Sequence, residues 1–255
     1  MLWNASSLNG YTIEASDGQV GTVHDLLFDD LDWVIRWLVV NMGDGADHKV
    51  LLPVSALGIP DVSLRQFPVN LTVQQVRNSP DIETDLPVSR QIEEALYHFY
   101  GWPPYWPNSG TLLSNSIVKP LAIPMQILEL NPIDSDGAGA ALPDGDPNLR
   151  SIAVVTQYNI HAVDGDIGHI DDFLVQDDNW FIRYIIVDTR NWWPGEKVLI
   201  SPRAMRGINW EEKTFHLNVN RRKVKDSPLY DPISTADGAY DEAFLKYFGI
   251  NFIEK

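Results

Sequence analysis

Carboxylates gathered in short polar turns are the residues of this chain best suited to chemistry. Asp29, Asp30 and Asp32 lie in one turn, Asp177 and Asp178 in another, and Asp134 and Asp136 in a turn-rich stretch. Oxygen ligands so spaced suit calcium or magnesium, and a bound divalent ion could activate water for hydrolysis. The Asp134 stretch resembles the first half of a calcium loop but lacks the glutamate that closes one. The plainer reading of all these residues is solvated β-turn carboxylates. Histidines stand at positions 24, 48, 98, 161, 169 and 216, with no Gly-x-Ser-x-Gly elbow, phosphate loop or dinucleotide fingerprint beside them. Cysteine is absent, which excludes disulfides, thiolate metal sites and cysteine nucleophiles.

Charge narrows the partners. The chain of 255 residues has a formal net charge of -16. Only Arg221-Arg222-Lys223-Val224-Lys225 offers the positive footprint that nucleic acid requires, and a solvated strand end explains it more simply. Nucleic acid is therefore not expected as a partner. The longest apolar stretches, near Trp33 to Met42 and Phe181 to Val187, contain Arg36 or Arg183 and fall short of the ~20 residues of a membrane helix. No basic stretch followed by an apolar run marks a secretory signal, so a cytoplasmic protein without membrane insertion is expected.

The elements that must position these residues occur twice. Ser16-Asp17-Gly18-Gln19-Val20-Gly21 returns as Val163-Asp164-Gly165-Asp166-Ile167-Gly168, and Trp33-Val34-Ile35-Arg36-Trp37 as Trp180-Phe181-Ile182-Arg183-Tyr184. Lys49-Val50-Leu51-Leu52 matches Lys197-Val198-Leu199-Ile200, one residue out of the earlier offset. An internal repeat of this length implies two related small domains, each with material for its own core. The boundaries read as a first domain over 1–110, a linker over 111–150 and a second domain over 151–255. None of the histidines recurs at an equivalent position: His24 aligns with Asp171, and His169 with Thr22.

Within each copy the pattern predicts strands at 11–15, 21–28, 33–41, 49–53 and 66–71, and at 158–163, 168–175, 180–188, 197–201 and 214–219. Asp-Gly turns join the first two strands of each copy. Gly21 and Gly168 within strands mark a bulge or a barrel corner. Strict alternation puts Ile35, Trp37 and Val39 on one face and Val34, Arg36, Leu38 and Val40 on the other. Both faces are largely apolar, so one fills a barrel and the other needs a cover: the partner repeat, a helix or a second subunit. Arg36 and Arg183 among apolar neighbours are each expected to pair with a carboxylate such as Asp25 or Asp172. Helices are expected over about 90–100 and 239–248, ended by Gly101 and Gly249. An apolar segment at 119–130 could add a strand.

The order Asp-Gly-x-x-Gly, an apolar stretch holding Asp25 or Asp172, Trp-x-Ile-Arg-aromatic and Lys-Val-Leu-Leu/Ile, present twice, resembles the PRC-barrel family over residues roughly 8–80 and 155–228. The segment Pro87-Val88-Ser89-Arg90-Gln91, with Tyr100-Gly101-Trp102-Pro103-Pro104-Tyr105-Trp106, is similar to the extension of standalone bacterial members. That family is named from the cytoplasmic part of the photosynthetic reaction-centre H subunit and includes the C-terminal part of a ribosome maturation factor. The resemblance implies a small β-barrel serving as a docking or adaptor module, with no common catalytic site. The chain shows no counterpart of the H subunit's membrane anchor or of the ribosome factor's other domain.

The expectation is thus a mainly β protein of two tandem small antiparallel β-barrels, each followed by a short α-helix. It is expected to be non-enzymatic, to need no cofactor, and to bind a protein partner or itself, including as a homo-oligomer. Candidate contact residues are Trp33, Arg36, Trp180 and Arg183, with Trp102, Tyr105 and Trp106 of the aromatic tail. A metal-dependent hydrolase or metal-responsive protein using the acidic turns is the alternative.

Overall fold

The computed structural model describes residues 1–43, 48–79, 148–189, 197–227 and 230. Period-two patterning dominates them, and the backbone is accordingly mainly β. The first half contains β1 (Leu2–Asn4), β2 (Thr12–Ala15), β3 (Gly18–Asp29), β4 (Val34–Asn41), β5 (Lys49–Pro53), β6 (Gln66–Pro68) and the short helix α1 (Val73–Arg77). The second contains β7 (Leu149–Ser151), α2 (Ile152–Val155), β8 (Asn159–Ala162), β9 (Gly165–Gln176), β10 (Ile182–Asp188), β11 (Lys197–Ile200), β12 (Met205–Asn209), β13 (Thr214–Leu217) and α3 (Arg221–Lys225). The helices expected over 90–100 and 239–248, the apolar segment at 119–130 and the aromatic tail lie outside the described residues.

Two sheets result, ordered β5-β4-β3-β2-β6 and β11-β10-β9-β8-β13-β12. The expectation of two closed antiparallel barrels is met only at the level of two β-sheets. No closed barrel is formed among the described residues, and each sheet holds one parallel pairing, β2 with β6 and β8 with β13. The parallel pair arises because the chain leaves β5 or β11 through a 3-10 turn and returns to the far side of the meander. The Asp-Gly hairpins form as the turn chemistry dictates, and their aspartates do a second job. Asp17 accepts from the Val73 amide at 2.6 Å and Asp164 from the Arg221 amide at 2.7 Å, tying each hairpin to the helix that follows.

Bulges correct the simple alternation on the central strands. Phe28 faces Ile35, but Leu27 faces Trp37, so Arg36 is the extra residue. Arg183 is extra in the same way, between the pairs Ile182–Val175 and Tyr184–Leu174. A one-residue bulge reverses the parity of all that follows. Ile35 therefore joins Leu38 and Val40 in the main core, while Trp37 and Val39 face outward into a second cluster with Leu27, Leu51 and Leu149. The arginines lie at a kink, which explains a cation amid apolar neighbours. Close approach explains the two strand glycines: a Cβ at Gly21 would stand 2.6 Å from the Asn41 carbonyl oxygen, and one at Gly168 only 1.9 Å from that of Asp188.

The halves exchange their leading segments. β1 pairs with β9 of the second half, and β7 pairs with β3 of the first. The main buried cluster draws residues from both halves, rather than dividing into one core per copy.

Candidate functional site

Residues that recur in both copies converge on the junction between the halves. Trp33 and Trp180 close their hairpins with φ of 58° and 60°, a left-handed conformation that costs a bulky residue energy. The Trp33 amide donates to the Asp29 carbonyl and the Trp180 amide to that of Gln176. In return the two β-hairpins meet head on. Ile35 donates its amide to the Trp180 carbonyl at 2.9 Å, and Ile182 donates to that of Trp33 at 2.8 Å. Val34 and Phe181 bridge between them. The indoles then reach across: Trp180 stacks on Phe67 of the first half, and Trp33 packs against Phe215, its counterpart in the second. The contacts are reciprocal, as in a dimer with a two-fold axis.

Asp25 and Asp172 complete the exchange. Asp172 accepts from the Asn4 amide group, from the Ser6 backbone amide and hydroxyl, and from the Phe173 amide. Tyr230 extends the network by donating to the Asn4 side-chain oxygen at 3.0 Å; burial pushes its phenol upward in pKa. Asp25 accepts from the Ser151 hydroxyl and from the amides of Leu26 and Ala153. Each recurring aspartate thus fastens the leading segment of the opposite half. The expected pairing of Arg36 with a carboxylate is met, with Asp32 and Asp29 as the partners in place of Asp25. Arg36 reaches Asp32 at 3.0 Å and Asp29 at 3.7 Å, and Arg183 donates to the Gln176 side chain, because the bulge swings both arginines toward the hairpin turns.

Burial raises the Asp25 carboxyl above its ordinary 3.8, against the pull of its hydrogen-bond donors. Its protonated form is therefore favoured by folding. That contribution is fully present below 3.8 and is lost as pH rises through the folded-state pKa. Asp25→Asn keeps an acceptor for the two amides and offers a donor to Ser151. Relative to this variant, the natural chain is expected to gain stability as pH falls through the carboxylate range. Parallel thermal melts across that range check the sign, and identical slopes would contradict it.

The acidic turns are occupied by the protein's own donors. Asp29 accepts from the Leu31 and Asp32 amides. Asp30 pairs with Arg150 at 2.9 Å, and that guanidinium lies 3.9 Å over the Trp210 ring. Burial alone would raise the Asp177 carboxyl, but hydrogen bonds from the N-terminal ammonium at 2.7 Å and the Trp3 indole at 3.2 Å outweigh it and hold it below the usual range. Asp30 and Asp177 are equivalent positions, each gripping the strand exchanged from the other half. Among the described residues no three acidic or histidine side chains gather as a metal site. Asp134 and Asp136 lie outside those residues.

Of the candidate contact residues, Trp33 and Trp180 pack across the junction, Arg36 and Arg183 flank the hairpin turns, and Trp102, Tyr105 and Trp106 lie outside the described residues. The basic run 221–225 forms α3 rather than a strand end. One surface escaped the sequence reading. Ile59, Val62 and Leu64 are 69%, 60% and 65% exposed on the loop between β5 and β6. The second half carries Gly207, Trp210 and Glu212 at these positions, and this loss of apolar pattern was the available signal. Among the described residues no helix is long and apolar enough to cross a membrane. Compared with protein-family models and with curated proteins, the chain matches none.

Proposed function

We propose that this is a non-enzymatic protein of the PRC-barrel kind, a cytoplasmic protein-interaction or adaptor module in which each sheet is the wall of a small barrel. The observation that carries the reading is the exposed Ile59, Val62 and Leu64 loop. Three large apolar side chains exposed to water within one short loop of a strongly acidic chain fit a surface that another protein covers. The recurring residues support the same view, because they are spent on holding the two halves together and not on a pocket. Either a protein partner or a second copy would meet the loop, with the aromatic tail as an added contact.

The test is sedimentation analysis and capture from native lysate with three baits: the natural chain, Val62→Glu with Leu64→Glu, and Tyr105→Ala with Trp106→Ala. The loop variant is expected to lose self-association or a defined partner at least tenfold while its melting temperature stays unchanged. Association that survives both paired substitutions would sink the reading.

A further inference from the structure

The second half carries a polar row that the first lacks. Asp166 on β9 faces His161 on β8, His161 faces His216 on β13, and His216 faces Gly207 on β12. The corresponding row in the first half is Gln19, Glu14 and Pro68. The His161 Nδ1 lies 2.7 Å from an Asp166 carboxylate oxygen. A carboxylate there accepts from Nδ1–H, and in the neutral ring this leaves the Nε2 lone pair for a metal, the arrangement typical of a metal-bound histidine. The two imidazole centroids are 5.7 Å apart, with planes at 62°. A metal held at about 2.1 Å from nitrogen sits about 3.2 Å from each ring centroid, so two rings sharing it stand about 5.2–5.8 Å apart at tetrahedral to wider angles. Gly207 leaves the space above the row open, and a groove of about 480 Å³ lined by His161, His216, Val163, Arg206 and Ile208 adjoins it.

We propose that His161 and His216 form a two-imidazole site for a borderline divalent metal ion of the zinc, nickel or copper class, with Asp166 as a positioning residue and the groove supplying room for exchangeable ligands. Imidazole nitrogen selects these ions over calcium and magnesium. Arg206 is exposed at the rim, where it opposes the cation weakly through solvent and favours an anionic group as the exchangeable ligand. The site is independent of the acidic turns and of the apolar loop.

Zinc and nickel alone are titrated into the full chain by calorimetry, with histidine ring signals followed by NMR. One ion per chain is expected, perturbing His161 and His216 together and released on acidification. His161→Gln or His216→Gln should lower affinity at least tenfold, and Asp166→Ala about tenfold through loss of the ring's partner. Circular dichroism confirms that these surface variants remain folded. No saturable binding at millimolar metal, or binding indifferent to both histidine substitutions, overturns the proposal. So would calcium or magnesium competing as strongly as zinc.

Discussion

Produced as separate chains, residues 1–110 and 111–255 are expected to fail as folded monomers and to recover the native state on mixing. Either half alone exposes Trp33 with Phe28 and Phe67, or Trp180 with Phe173 and Phe215, all of which pack in one shared cluster. It also loses the sheet contact that β1 or β7 makes with the other half. Uncovering several aromatic and aliphatic side chains at about 1.5–3 kcal/mol each exceeds the whole stability of an ordinary domain. Each half should therefore self-associate through the same reciprocal contacts or melt without cooperativity. An equimolar mixture should give a heterodimer with the near-ultraviolet dichroism of the intact chain. A monomeric half with a sharp melt would contradict the interlocked core.

Asp172→Ala is expected to lower stability by about 3 kcal/mol, the largest effect of any single polar substitution in the junction. The carboxylate is 4% exposed and accepts from four donors, three of them on the segment that leads the first half. Truncation leaves the buried Phe173 amide without an acceptor, at about 1–3 kcal/mol, and releases the part-buried Asn4 and Ser6 donors, whose charge-assisted bonds add the rest. For a chain of this size the melting temperature should fall by roughly 6–12 °C. Asp172→Asn retains one acceptor oxygen and should cost about a third as much. The cause is separated from a general packing defect by Ser6→Ala in the Asp172→Ala background. Once the acceptor is gone, removing the Ser6 hydroxyl should cost nothing further. Full additivity of the two substitutions would show that the network does not act as one unit.

Strand positions were legible because they depend on local pattern and turn chemistry. The duplicated Asp-Gly hairpins and the Lys-Val-Leu strands lie where alternation put them. The faces of β4 were misjudged beyond Arg36, since a bulge leaves no mark on composition yet inverts every later side chain. Gly21 and Gly168 hinted at such irregularity but not at its location. The partners of Asp25 and Asp172 were hidden for a different reason. They sit 126 to 168 positions away in the chain, and no short-range pattern can report a contact of that separation. Recurrence in both copies did single the two aspartates out. The left-handed tryptophans were equally opaque, because bulky residues are the last expected in that conformation. The histidine row became visible only when β8 and β13 were found to be parallel neighbours.

The exchange of leading strands also imposes a timetable on synthesis. β1 emerges from the ribosome long before Leu174 to Gln176, the residues with which it must pair. At about 5–20 residues per second that interval is roughly 10–30 s. For most of it the first half lacks its borrowed strand β7, and for all of it the indole of Trp180 against Phe67. Folding of the nascent first half can be provisional only, and its unfinished apolar face must be shielded until the second half arrives. The native state of this chain is reached late and all at once, when the last-made half locks the first.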